Sequence, residues 1–321
     1  MNNSVKSSAA SAQQKPTLST QGLTIRFGGH IAVNNVTAEF RTGELTAIVG
    51  PNGAGKTTYF NLISGQLKAT SGTISLHWHD ITRHGAPLRT KRGIGRALAL
   101  ALARAGAHIV ATGRTQGALE ELDDAVQAVG STATLVPLDV RDFSGIYRLA
   151  QALDERHQRL DILIGNAAIA GQRSPLGHVE PAAWDEAMAV NVTANYHLIR
   201  AMDPLLRRAP AGRVVFMTSG AATGARAYSS TYSASKAALN VLARVYAAET
   251  DSTPVRVNLF NPGPTRTKMR AQVMPGEDPM TLPTPEEVAE TIVPLCLPSC
   301  NETGKLYDYR AGKFLEFTEP A

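Results

Sequence analysis

Over the C-terminal two thirds of the chain, short apolar runs alternate with longer stretches of helical spacing. HIVAT, TLVPLDV, LDILIGNAA, GRVVFMTS and VRVNLFNPG are brief, rich in β-branched residues and apolar on both alternations. That is the pattern of strands buried on both faces. Between them, Ala97, Leu98, Ala101, Leu102 and Ala105 recur at helical intervals, and so do the apolar positions of GALEELDDAVQAV, IYRLAQALDERH, residues 182–207 and YSASKAALNVLARVYAAET. Strand and helix in strict alternation predict an α/β fold, a doubly wound parallel sheet with helices on both faces. In such a sheet ligands lie at the carboxyl ends of the strands.

The first third reads differently. LTIRFGG, AVNNVTAEF and ELTAIVG predict three strands separated by turn signals such as Thr42-Gly43. The last is followed by GPNGAGKTT and the helical stretch TTYFNLISGQL, the setting that a phosphate-binding P-loop requires. Its glycines let backbone N–H groups turn inward around an anion, and the helix N-terminus adds positive potential. Gly50, Asn52, Gly53, Gly55, Lys56, Thr57 and Thr58 are the candidate ATP-binding residues, with Lys56 on the outer phosphates and Thr57 offering an oxygen to Mg²⁺. The domain reading is a disordered tail over residues 1–16, a P-loop-containing β-rich fragment over 17–92, and the α/β domain over 93–321.

Composition narrows the function classes. Hydrophobic residues at 43% and charged residues at 18% fit a globular protein, and the net charge of +5 is spread without the dense basic runs of a nucleic-acid-binding surface. No stretch reaches the roughly 20 apolar residues of a membrane span, and the N-terminus lacks the apolar middle of a signal peptide. A cytoplasmic location is expected. The two cysteines, Cys296 and Cys300, are too few for a disulfide framework and complete no metal site, so no metal is expected.

Candidate chemistry lies in YSASK. Tyr232 and Lys236 are four residues apart and share one helix face. A phenol with an ordinary pKa near 10 is a poor acid or base at neutral pH, and a neighbouring ammonium is expected to lower it into the useful range. Ser219 ends the strand RVVFMTS, at the edge where a substrate oxygen could be held.

With GIG at residues 93–95, LDV at 138–140, NAA at 166–168, Asn191 in MAVNV, Ser219, YSASK and NPGPTRT at 261–267, the chain from 93 to about 315 resembles the short-chain dehydrogenase/reductase family, a Rossmann-type fold. The resemblance implies an NAD(P)-dependent oxidoreductase moving a hydride between a nicotinamide cofactor and an alcohol or ketone. It implies Tyr232 as proton donor or acceptor, Ser219 positioning the substrate oxygen, Lys236 also holding the nicotinamide ribose, and Asn191 keeping a water in the proton relay. Arg92, Gly93, Ile94, Gly95, Asp139, Val140, Asn166, Ala167, Ala168, Pro262, Gly263 and Thr265 would contact the cofactor, and a homodimer or tetramer is implied. At the end of HIVAT, where an acidic residue would select NAD(H), the chain has Gly113 and then Arg114, which favours NADP(H). Residues 268–283, after PGPTRT, are expected to form a lid over the substrate.

Two departures stand out. The family opens with a strand and T-G-x-x-x-G-x-G, but here Leu88 and Arg89 occupy the Thr and first-Gly positions and the residues before them are polar. GTISLHW is the one upstream stretch with the character of a substitute central strand. Residues 23–97, including Phe27 at the adenine-stacking position and LKATSGTI, resemble the start of an ABC-transporter ATPase of the branched-chain amino acid importer type. That resemblance ends at GIGRA, without the Q-loop, LSGGQ-type signature, Walker B carboxylates or switch histidine that hydrolysis needs. Each half breaks off where the other begins, so a gene fusion at GIGRA is expected, with the oxidoreductase activity impaired by the missing strand. Two readings stay open beside it: an ATP-binding importer subunit, and a non-catalytic fusion product.

Overall fold

The structure is a computed structural model that describes residues 17–41, 46–51, 53–65, 67–76, 79–82, 93–224 and 226–317. Residues 1–16, Asn52, Arg92 and the segment 83–91 lie outside the described residues. The chain divides into two units, Met1–Lys91 and Arg92–Ala321.

In the second unit the alternating pattern becomes α2 (Ile94–Arg104), β5 (Ile109–Gly113), α3 (Gln116–Gln127), β6 (Ala133–Pro137), α4 (Phe143–His157), β7 (Ile162–Gly165), α5 (Pro181–Met188), α6 (Ala194–Arg208), β8 (Arg213–Met217), α7 (Ser230–Glu249), β9 (Arg256–Asn261), α8 (Lys268–Val273), α9 (Pro285–Cys296), β10 (Leu306–Asp308) and β11 (Lys313–Leu315). The apolar runs are buried on both faces by two helical layers. Ala97, Leu98, Leu122, Val288 and Ile292 pack on one side, and Ile146, Leu149, Leu206, Leu239 and Ala243 on the other.

The parallel sheet comes in two pieces. Strands β11-β10-β9-β8-β7 form one, parallel except for the terminal hairpin β10–β11, and β5-β6 form the other. Among the described residues no strand joins β5 to β7. Helix α2 spans the gap on one face: it packs against α9, and a Cβ added at Gly95 would lie 2.5 Å from Asn166 Nδ2, just past the end of β7. Ile109 and Ala111 of β5 share a core with Val215 and Met217 of β8, with Ile162 and Ile164 of β7 packed against it. The two pieces are thus held by side chains across a place where a backbone ladder is interrupted.

Helix 182–207 differs from expectation. It is two helices, α5 and α6, joined by a π-turn at Ala189–Thr193 that carries Asn191. Such turns concentrate at functional sites. The hairpin β10–β11 had no sequence signal, since three-residue strands carry too few positions for a period.

The first unit is an antiparallel sheet in the order β2-β1-β3-β4, from β1 (Leu18–Phe27), β2 (His30–Phe40), β3 (Ser71–Leu76) and β4 (His79–Asp80), with α1 (Lys56–Ile63). Leu23, Ile25, Val33, Tyr59, Leu62, Ile74 and Ile81 make its core. Two expectations fail here. GTISLHW does not serve as a substitute central strand for the second unit: β3 is already laddered between β1 and β4. Residues 46–50 of ELTAIVG form no strand, and Val49 is 87% exposed. Among the described residues this segment pairs with no strand of the sheet β2-β1-β3-β4.

Candidate functional site

The candidate residues collect at the carboxyl ends of the strands of the second unit. Gly113 closes β5 with Arg114 after it, Asp139 and Val140 follow β6, and Asn166, Ala167 and Ala168 follow β7. Ser219 lies two residues beyond β8, and Pro262, Gly263 and Thr265 follow β9. Gly93 and Ile94 start α2, with Gly95 against the Asn166 side chain, which a Cβ there would displace.

Ser219 stands close enough to Tyr232 to act on its phenol, and Ser219 Oγ accepts from Ala221 N at 3.2 Å. Lys236, one turn along α7 from Tyr232, is 2% exposed. Its Nζ donates to Met217 O at 2.7 Å and stands 5.7 Å from the centre of the Tyr232 ring. The expected lowering of the phenol is not found: burial raises Tyr232, and the Ser219 hydroxyl offsets it only in part. The cost of burial falls on Lys236 as well, which is held down to about 8. A buried amine so placed keeps its proton at neutral pH but gives it up more readily than a solvated one.

That shift carries a pH dependence. Between about 8 and the ordinary 10.5, the unfolded chain binds the proton that folded Lys236 has released. Stability therefore rises with pH across that window, by up to about 1.4 kcal/mol per pH unit, and below it the burial cost stands in full. Chemical denaturation of wild type and Lys236→Met at pH values of about 7.5 and 9.5 checks this. The wild type should gain stability relative to the variant as pH rises.

Asn191 sits in the π-turn between α5 and α6. It is fully buried, its Oδ1 accepts from Ile169 N at 2.9 Å, and its Nδ2 donates to Ile169 O and Ser235 Oγ, both at 2.9 Å. Through these bonds its side chain ties the loop after β7 to α7.

At the far end, Asp139 is held down to about 2, chiefly by its hydrogen bonds from Arg141, with Arg114 adding positive potential. Arg141 in turn reaches Glu186 at 3.0 Å. Thr265 is buried, its hydroxyl donating to Pro262 O at 3.3 Å, and Gly263 adopts the left-handed region at φ 62°. Asn261 is a residue that sequence reasoning left without a role. Its Oδ1 accepts from Gly220 N and Gly263 N, both at 3.1 Å, and its Nδ2 donates to Asp308 Oδ2 at 2.7 Å. It clips the ends of β8, β9 and β10 together. The only prior signal was its place at the head of NPG, because its partners lie on other strands.

Helix α8 and the following turn make up the segment expected to form a lid. Arg270 pairs with Glu277 at 2.5 Å, Arg266 donates to Pro279 O at 2.7 Å, and Arg173 from the loop after β7 donates to Val273 O at 2.9 Å.

In the first unit, Gly53 and Gly55 have φ of 85° and 78°, and a Cβ on Gly55 would run into Ala32 O. Lys56 Nζ donates to Gly50 O at 2.5 Å and Pro51 O at 2.6 Å, so the amine is turned onto the loop's own carbonyls. Thr57 and Thr58 are in the first turn of α1, and Phe27 is exposed at the end of β1.

A parallel sheet whose carboxyl edge gathers a Ser–Tyr pair and a buried Lys is the architecture of a nicotinamide-dependent oxidoreductase. The chain matches the short chain dehydrogenase family over residues 90–278 and belongs to it; it is an NAD(P)-dependent oxidoreductase of that family. It is 35% identical over 229 residues to YciK, an uncharacterized oxidoreductase of Escherichia coli K12, covering 69% of this chain and 89% of YciK. A short chain dehydrogenase from Shigella flexneri 2a, solved in complex with NADP, superposes with a TM-score of 0.64 at 33% identity, over 68% of this chain and 92% of that one. Residues 33–145 match the ABC transporter family. Over 62 residues, 19% of its length, the chain is 55% identical to LivG, the high-affinity branched-chain amino acid transport ATP-binding protein of Salmonella typhimurium, but these cover only 24% of LivG. The pairing of the two families is consistent with a fusion.

Proposed function

We infer that the second unit moves a hydride between NADP(H) and an alcohol or ketone. The observation that carries this reading is Ser219 beside Tyr232 at the carboxyl edge of β8, with the buried Lys236 one helical turn away, its Nζ 5.7 Å from the centre of the Tyr232 ring. In the reducing direction, NADPH supplies the hydride when bound. Ser219 holds the substrate oxygen, and Tyr232 gives that oxygen its phenolic proton. The Lys236 ammonium stabilises the negative charge that develops on the phenol oxygen as the proton leaves. Asn191 acts as a positioning residue, fixing the loop that carries Asn166–Ala168 relative to α7.

The residues at the edge fit a dinucleotide phosphate. Arg114 stands where an acid would reject a 2′-phosphate, Asp139 and Val140 follow the neighbouring strand β6, and Asn166 follows β7. Gly263 and Thr265 form the opposite end. Arg92, outside the described residues, would add a second cation. The NADP held by the Shigella flexneri protein supports the same cofactor here. A homodimer or tetramer is further expected from the family, and the ATP-binding residues of the first unit contribute at most weak nucleotide binding.

Fluorescence titration with NADPH and NADH tests the reading. NADPH should bind more tightly than NADH, and Arg114→Glu should weaken NADPH by about tenfold or more while sparing NADH. Equal affinities unaffected by Arg114→Glu would remove NADP(H) as the cofactor.

A further inference from the structure

The segment 266–283 is bonded chiefly to itself. Thr267 Oγ1 accepts from Arg270 N at 3.2 Å at the start of α8, Arg270 pairs with Glu277, and Glu277 N donates to Met274 O at 3.1 Å. The Arg266 guanidinium donates to the carbonyls of Pro279 and Leu282, and Arg266 N donates to Pro283 O at 2.9 Å. Among the described residues, the one hydrogen bond that joins this segment to a part of the chain remote in sequence comes from Arg173, 100 residues away. Its Nη1 donates to Val273 O at 2.9 Å. Val273 is the last residue of α8, where a helix leaves its carbonyls without intrahelical donors.

Arg173 projects from a loop that is fastened to α7. Ile169 bonds through both its N–H and its carbonyl to the buried Asn191, which also donates to Ser235 Oγ. Gly171, at φ 68°, lies against the fully buried Thr231, whose hydroxyl oxygen a Cβ at that position would strike. Thr231 precedes Tyr232 and Ser235 precedes Lys236, so the two fastening points bracket the residues that do the chemistry. Apolar side chains flank the far end of the linkage. Leu176, three residues beyond Arg173, is 67% exposed, and Met274, next after Val273, is 41% exposed.

From this linkage we propose that Arg173 is a positioning residue for the reaction. It pins the C-terminus of α8 to a loop that the catalytic helix holds, and so sets the closed position of residues 268–283 relative to Tyr232. The loop leaves the carboxyl end of β7 and the pinned segment follows that of β9, so both arms start from the edge that carries Ser219. With Leu176 and Met274 on either side of the pin, closure brings apolar surface to the substrate. The substrate is then a ketone or alcohol bearing a sizeable apolar group, an assignment that rests on the hydride-transfer reading. Losing the pin removes contacts made equally in the bound substrate and in the transition state, which raises KM and leaves kcat near its original value.

Full-length wild type is compared with Arg173→Ala and with Arg173→Lys, which can still donate to the carbonyl. Amide exchange is read first, without cofactor or substrate. The hydrogen-bonded amides of Ala271 and Met274 should exchange about fivefold or more faster in Arg173→Ala and recover most of their protection in Arg173→Lys. The amide of Ile169, held by Asn191, should keep its rate. Steady-state reduction of benzylacetone and of acetone at saturating NADPH is read second. In Arg173→Ala the KM for benzylacetone should rise about three- to tenfold with kcat and NADPH affinity within about twofold, the KM for acetone should change far less, and Arg173→Lys should restore both. Unchanged exchange at Ala271 and Met274, an unchanged KM for benzylacetone, or a fall in kcat alone would overturn the assignment. A wild type that reduces neither ketone counts against the hydride-transfer reading instead, and the exchange rates then decide the pin by themselves.

Discussion

Replacing Tyr232 by phenylalanine is expected to lower turnover by about 10²- to 10⁴-fold, with the affinity for NADPH changed by no more than about twofold. The ring stays, with its packing against the Lys236 stem, and only the oxygen that exchanges the proton is lost. Stopped-flow reduction of a ketone panel, compared with the NADPH titration, separates the two effects. A variant that kept wild-type turnover would reassign the proton to another group. The pH profile adds a sign. Burial keeps the phenol protonated through the neutral range, while Lys236 gives up its proton near 8. Reduction should hold level up to that point and fall above it, because the developing phenolate then loses its cation.

The second large effect is on stability. Arg213 opens β8, is 3% exposed, and hydrogen-bonds to backbone carbonyls rather than to a carboxylate among the described residues. Its guanidinium donates to Gly212 O at 2.9 Å, Pro254 O at 3.2 Å, Leu297 O at 3.1 Å and Pro298 O at 2.7 Å. It thereby ties the start of the strand to the turn before β9 and the end of α9. Arg213→Met keeps much of the volume and abandons four carbonyls, each costing about 1–3 kcal/mol where water cannot replace the donor. With partial hydration the net loss is about 3–5 kcal/mol, or on the order of 10 °C in Tm for a unit of this size. Calorimetry on the full chain measures it. A drop of only a degree or two would mean that water reaches those carbonyls freely.

Much of the second unit was legible from hydrophobic spacing, because each strand is apolar on both faces and each helix on one. Ser219, Tyr232 and Lys236 were legible for the same reason: a strand end and an i, i+4 pair are local facts. Asn261 and Arg213 were not, since their meaning lies in partners up to 85 residues away. The π-turn at Asn191 was invisible because one extra residue within a helix barely disturbs the apolar period. The expected low phenol pKa failed on a non-local quantity, the burial of both partners. In the first unit, TAIVG has the composition of a strand, but a strand also requires a neighbour.

The divided sheet also changes what a bound dinucleotide would be for this molecule. The lighter piece, β5 and β6, bears Arg114, Asp139 and Val140; the heavier piece bears Ser219, Gly263 and Thr265. A cofactor lying along the carboxyl edge would grip one piece with its adenine half and the other with its nicotinamide half. It would then act as a clasp across a seam, so that saturation and mechanical closure of the sheet become a single event.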